Sequence, residues 1–438
     1  MKRLYLLLFA VILFPLNISA EEINAVIKVN KKMMGNNLYN NQFIFSLKDL
    51  EGKIIQTEKN DSDGNVIFNL KLSNESSITN YYVIEEVNDN QTGIIYDTKP
   101  IYLSVKVIQN ETEAQVNYIK VPEKQEKKEY NFFHATEEDL KGEAYAVYDK
   151  EEKTLTFFRD EIGKYMPNQE IGSKKYYAGL EDIDFSVYSN GWNYIDNEIK
   201  TVVFKDAIKP KKIDGWFQNM INLESIDLSK FDTSEVTSLH GFLENTAKLR
   251  TIDISALDTS NVTDFSCIFR GSGIEVLDFS EWNMEKMTAI DNAVNRMPNL
   301  KRLNISNWKV DSSAELAKLP CLEYLTLGNK YRIYRTNIDV SDAAWIKLKD
   351  NKVYTTENLR DIAYDNGPEA IEGEYVRPSC TEKVSFINYY KEQDHKNDQE
   401  KKEALIVTVP NTGVTKVLLI IVGIVTLMIS IIIAKRMI

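Results

Sequence analysis

Between Ile199 and Gly328 the chain repeats itself. Units open with IKTVVF at 199, LESIDLS at 223, LRTIDIS at 249, IEVLDFS at 274, LKRLNIS at 300 and LEYLTLG at 322. They lie about 24–26 residues apart, with a shorter last step. Two units continue almost identically, as FDTSEVTSL from 231 and LDTSNVTDF from 257, and the next degrade to WNMEKMTAI at 282 and WKVDSS at 308. A period this short gives each unit one short strand that cannot bury its apolar side chains alone, so the units must stack into a solenoid. Asp-Thr-Ser after the strand suits a turn, because short polar side chains bond nearby backbone groups. AYAVYDKEEKTLTFF (144–158) reads as a hairpin capping the N-terminal end of the stack.

Residues from about 23 to 121 have a different period. Ile27, Val29, Lys31 and Met33 alternate, as do Phe43, Phe45 and Leu47, then Tyr82, Ile84 and Glu86, then Leu103, Val105 and Val107. Alternation at a period of two predicts half-buried strands, and NDSDGN (60–65) and NDNQTG (88–93) punctuate them as turns. One side of these strands carries charge inward: Lys31 shares the face of Ile27 and Val29, and Glu86 that of Tyr82 and Ile84. Such charges are costly to bury unless paired or reacted. A plain buried salt bridge, or a register turning both outward, is the alternative reading. PEKQEKKE (122–129) is a charged linker or loop.

Composition excludes several functions. The 438 residues carry a formal net charge of −12, the wrong sign for a nucleic-acid surface. His134, His240 and His395 are far apart, and Cys267, Cys321 and Cys380 lack metal-ligand spacing, reading as buried thiols with a Cys267–Cys321 bridge left open. NDSDGN alternates Asp61, Asp63 and Asn65 but lacks the rest of a calcium loop, so a hairpin turn is the better reading. Trp216, Trp282 and Trp308 in the repeats read as core, or alternatively as a binding face. No P-loop, GxSxG, HExxH or dinucleotide glycine pattern occurs, and the chain calls for no cofactor and no metal.

The two ends read as targeting signals. Lys2 and Arg3, the apolar LYLLLFAVILF and a small-residue site ending at Ala20 predict a signal peptide over 1–20. Val417 to Ala434 is apolar for about 18 residues, enough to cross a bilayer, and Lys435 and Arg436 follow it. Just before that span stands VPNTG: Val409, Pro410, Asn411, Thr412 and Gly413.

Three resemblances follow from these residues. The repeats over 143–378 resemble the BspA-like leucine-rich repeats of bacterial surface proteins, some of them adhesins. VPNTG, the span and the basic tail (409–438) resemble the LPxTG-type sorting signal, with Val in place of Leu. That resemblance implies cleavage after Thr412 by sortase and transfer to cell-wall peptidoglycan, the membrane span being transient. The stretches IKVNKKMMGNN, QFIFSLKDLEGK, NDSDGNVIFNL, YYVIEEV and TGIIYDTKPIYLSVKV resemble the pilin-type isopeptide domains of Gram-positive surface proteins. In such domains a first-strand Lys and a last-strand Asn condense into an amide, promoted by a buried Glu. Here these are Lys31, Glu86 and one of two asparagines. Asn388, in FINYY, matches the last-strand pattern F-x-N-x-Y in full, whereas Asn131, in EYNFFHA, lies where the last strand is ordinarily found. The favoured reading inserts the repeat domain before the last strand.

The expected architecture is therefore mainly β with α/β repeats. A β-sandwich pilin-type domain over 21–135, its last strand either there or at 382–391, is joined to a leucine-rich-repeat solenoid. A charged linker (391–408) and the sorting signal, with its single transmembrane helix, follow. The expected role is a non-enzymatic, cell-wall-anchored surface protein that binds an unknown host or bacterial ligand. The alternatives are a minor pilus subunit and a permanently membrane-anchored surface protein.

Overall fold

A computed structural model describes residues 22–73, 77–108, 111, 113–121, 132–308, 316–330, 344–378 and 385–390. The signal peptide with Ala20, Asn131, Cys380, the charged linker, VPNTG and the apolar span at 417–434 lie outside the described residues. No helix among the described residues is long and apolar enough to cross a membrane.

The chain opens with β1 (Glu22–Met34), β2 (Ile44–Asp49), β3 (Ile54–Lys59), β4 (Asn65–Ser73), β5 (Ile78–Val87), β6 (Ile94–Ile95), β7 (Ile101–Val107) and β8 (Gln115–Lys120). β1 alternates without a slip: Ile23, Ala25, Ile27, Val29 and Lys31 are buried while their neighbours face outward. It pairs antiparallel with β4, Ala25 opposite Leu70 and Ile27 opposite Phe68. β2, β3, β5, β7 and β8 form a five-stranded sheet in the order β3-β2-β5-β7-β8, every neighbour antiparallel. NDSDGN is the turn between β3 and β4. Asp61 Oδ1 accepts from the backbone N–H of Asp63 and Asn65 at 2.9 and 2.7 Å.

The repeat region supplies β9 (Glu143–Asp149), β10 (Thr154–Asp160), β11 (Glu170–Ile171), β12 (Lys174–Tyr177), α1 (Val187–Asn190), β13 (Thr201–Phe204) and β14 (Ser225–Asp227). β15 (Val276–Asp278), β16 (Arg302–Ile305), β17 (Tyr324–Leu327), β18 (Ala344–Lys347), β19 (Val353–Thr355), α2 (Thr356–Asn366) and β20 (Gly373–Val376) complete it. The hairpin β9–β10 starts the stack, and β10 continues in parallel onto β13, then β14. β15, β16 and β17 stack likewise, Leu277 beside Leu303 beside Leu325. This is a β-solenoid arrangement around one continuous core, with Trp216, Trp282 and Trp308 inside it. The tryptophans therefore pack the core and present no binding face.

Two details differ from the sequence reading. The unit opening at Leu249 has no strand: its Ile254–Ala256 is a 3-10 turn, and the ladder breaks between β14 and β15. The described repeats also carry turns rather than helices, because each coil bends at two left-handed positions. Gly215, Gly241, Cys267 and Asn292 form one column, and Asn219, Asn245, Gly271 and Arg296 the other, all with φ between 56° and 69°. No helix tolerates residues in that conformation in its interior. Between the columns the coils bond to one another: Phe217 N–H donates to Phe242 O, Leu243 N–H to Ile268 O and Phe269 N–H to Ala293 O.

The repeated Asp of Asp-Thr-Ser does two jobs. Asp232 and Asp258 cap their own turns through Oδ1, on Ser234 and Ser260 N–H at 3.0 and 2.9 Å. Their Oδ2 atoms hold the segment entering the repeats, at Ala135 N–H (2.8 Å) and His134 Nε2 (2.9 Å).

The solenoid's far end returns to the five-stranded sheet at the front of the chain, the front sheet. β20 and β18 bring Val376 and Ile346 into a cluster with Val83, Tyr102 and Ile119, and Tyr102 Oη donates to Asn351 Oδ1 at 2.9 Å. The chain then runs into β21 (Ser385–Tyr390), which lies parallel to β1. A second unit holds, among the described residues, Gln91–Ile95 and Tyr390. Apart from Tyr390 at the end of β21, only its turn and β6 are described.

Candidate functional site

The site is built where β1, β5 and β21 meet. Lys31 is the fifth inward residue of β1, and strand parity alone aims its amine at the core. Its side chain is fully buried, as is that of Glu86 on β5. Met33 pairs with Asn388 in the β1–β21 register, and Asn388 is 0% exposed. Three polar side chains, two from the opening strands β1 and β5 and one from the closing strand β21, thus converge in an apolar interior.

Their geometry is tight. Lys31 Nζ lies 2.8 Å from Glu86 Oε1 and 2.9 Å from Oε2. Asn388 Nδ2 donates to Glu86 Oε1 at 2.9 Å, so one carboxylate oxygen serves both nitrogens. Asn388 Oδ1 accepts from the backbone N–H of Asp97 at 2.8 Å. Phe43 closes one side, its ring centroid 4.5 Å from Lys31 Nζ. The backbone of Lys31 is pinned by its N–H donating to Gly64 O at 2.6 Å.

Burial dominates the electrostatics. It pulls the Lys31 amine below its usual range, against Glu86 and Asp97, which favour the cation. It pushes the Glu86 carboxyl above its usual range, against Lys31 and the Asn388 amide. Both shifts favour the neutral pair, an amine with a lone pair beside a protonated carboxyl. Such an amine is a nucleophile, and such a carboxyl can carry a proton between two nitrogens.

Lys31, Glu86 and Asn388, read from the sequence, are brought together. Asn131 lies outside the described residues. Sequence reasoning missed Asp97 and Lys120. Lys120, at the end of β8, is ion-paired with the Asp97 carboxylate and donates to Ser385 O at 2.8 Å. Lys120 follows the alternating β8 stretch with nothing to single it out, and a backbone N–H such as that of Asp97 has no signature in a sequence. Cys267 and Cys321 are free thiols, with no bridge between them. No cluster of His, Cys, Asp and Glu that could hold a metal occurs among the described residues.

Comparison with known proteins gives one match. Residues 211–319, within the repeats, match a family model described as "Mycoplasma protein of unknown function, DUF285". None of the curated proteins and none of the solved structures matches the chain.

Proposed function

We propose that the front sheets are a pilin-type β-sandwich sealed by an amide bond between Lys31 Nζ and Asn388 Cγ. The sandwich would be the stem of a secreted, cell-wall-anchored surface protein. The observation that carries this reading is the shared carboxylate: Glu86 Oε1 lies within 2.9 Å of both the amine and the amide nitrogen. Neutral Lys31 attacks Asn388 Cγ, and the Nζ–Cγ bond forms as the Cγ–Nδ2 bond breaks. Protonated Glu86 gives its proton to Nδ2, which departs as ammonia, and takes the proton leaving Nζ in its place. Atoms balance without a cofactor, and Glu86 ends as it began.

The repeats, read as leucine-rich repeats of the BspA-like type, would present the surface that binds a host or bacterial partner. Their entry is tied to the stack through Asp232 and Asp258, and their far end packs on the front sheet, which supports a rigid display. Sortase recognition of VPNTG would join Thr412 to peptidoglycan. The protein would be sortase's substrate, with no turnover chemistry of its own.

Intact mass of the purified chain tests the stem. The expected mass is lower than that of the sequence by one ammonia, and Lys31→Ala restores it. A wild-type mass equal to that of the sequence defeats the reading. Release of the protein from walls by peptidoglycan hydrolases, lost in Thr412→Ala, tests the anchor.

A further inference from the structure

We infer that the backbone N–H of Asp97 is the oxyanion donor for the Lys31–Asn388 condensation, and that the Asp97–Lys120 ion pair holds it in position. This rests on the crosslink proposed above and extends it to residues outside the Lys-Glu-Asn trio.

The argument starts from the orientation of the Asn388 amide. A backbone N–H can only donate, so the atom facing Asp97 at 2.8 Å is Oδ1, and Nδ2 must face Glu86. When Lys31 attacks Cγ, charge develops on Oδ1 as the tetrahedral carbon forms. An N–H already aimed at that oxygen in a dry interior stabilises the charge without reorganising. Glu86 handles the proton between Nζ and Nδ2, while the Asp97 N–H, which also acts on the Glu86 carboxyl, points at the oxygen that gains charge.

The donor sits in the irregular segment 96–100 before β7, which no ladder fixes. Its position comes from Lys120. The same ammonium binds the Asp97 carboxylate and the carbonyl of Ser385, the first residue of β21. One side chain thus ties the segment carrying the donor to the strand carrying Asn388. Asp97 Oδ1 further accepts from Lys99 N–H at 3.2 Å, tightening the turn. Lys31 faces charge from three elements: Glu86 on β5, Asp97 before β7 and Lys120 on β8. Asp97 favours the ammonium form of Lys31 and Lys120 disfavours it.

The test follows bond formation in the full chain, recovered unfolded in guanidinium and diluted into buffer. Circular dichroism reports folding and intact mass reports ammonia loss. Asp97→Ala keeps the N–H and loses the clamp, whereas Asp97→Pro loses both. Asp97→Pro is expected to react about 10²–10³-fold more slowly than Asp97→Ala. Equal rates in the two folded variants overturn the donor assignment. Should Asp97→Pro fail to fold, Lys120 decides. Lys120→Met is expected to slow the reaction about tenfold and to move the pH–rate profile to higher pH, whereas Asp97→Ala moves it to lower pH. Lys120→Arg restores the wild-type profile. Unmoved profiles in both variants overturn the inference. A wild-type chain that folds and never loses ammonia instead defeats the crosslink itself, which separates the two failures.

Discussion

Asn388 donates to Glu86 at 2.9 Å although the two stand 302 positions apart in the chain. All of the repeats lie inside that interval, so the closing strand and the far end of the solenoid both return to the sheets that open the chain. A bond from Lys31 to Asn388 would make that closure permanent and would enclose the repeats in a covalent loop.

Loop closure gives the first prediction. Cross-linking a loop of this length stabilises by about 6 kcal/mol in the chain-entropy account. Glu86→Gln removes the proton carrier and is expected to fold without losing ammonia. Its guanidinium midpoint should fall well below that of the wild type. Equal midpoints, with the masses differing by one ammonia, would show that the bond adds no stability.

Burial of the pair gives opposite pH dependences in the two single variants, neither of which can crosslink. In Lys31→Met, Glu86 keeps its burial and loses the cation that lowers its pKa, so its folded value stands above its unfolded value of about 4.5. Stability is then fully present below that unfolded value and is lost as pH rises toward the folded one. In Glu86→Gln, buried Lys31 has a folded value below its unfolded value of about 10.5. Between those values the unfolded chain binds the extra proton, so stability rises with pH. Each slope reaches at most about 1.4 kcal/mol per pH unit. Urea midpoints at mildly acidic and mildly alkaline pH check both signs; slopes of the same sign would refute the account.

Strand parity made most of this site legible. Lys31 could be placed inward from Ile27 and Val29 because a strand's period of two admits no other answer while the register holds. Asn388 could be chosen from its FINYY context, and the repeat announced the solenoid. What stayed hidden was carried by backbone or by tertiary contact. The Asp97 N–H has no sequence signature, and the Val83–Tyr102–Ile119 cluster depends on Ile346 and Val376 arriving from a distant coil. The unit at Leu249 keeps the repeat's apolar spacing yet turns as a 3-10 helix.

Gly64 tests how closely the Lys31 backbone is held. It has φ 86°, and a Cβ on it would stand 2.1 Å from the carbonyl oxygen of Lys31, a backbone atom that cannot swing aside. Gly64→Ala must therefore push the β3–β4 turn from β1 and break the 2.6 Å bond from Lys31 N–H. The expected loss is about 2 kcal/mol or more, from left-handed strain plus the clash. Ammonia loss should slow as Nζ moves off Glu86. Wild-type crosslinking in the folded variant would show that the turn does not position Lys31.

Arg296 offers the opposite sign. It occupies the same left-handed corner as Asn219, Asn245 and Gly271, with φ 57°, and its side chain is exposed. A left-handed φ costs roughly 1–2 kcal/mol for a residue other than Gly, less for Asn. Its N–H donates to Ala317 O at 2.9 Å, a bond glycine keeps. Glycine relieves the strain but gives the unfolded chain more freedom, which returns about 0.5–1 kcal/mol. Arg296→Gly should therefore raise the stability of the Glu86→Gln background by about 0.5–1 kcal/mol. Arg296→Val, which adds β-branching at the same corner, should lower it. Urea denaturation of the pair checks the order. Arg296→Val at least as stable as Arg296→Gly would mean that the corner is not left-handed in solution, and the column of bends that turns each coil would lose its basis.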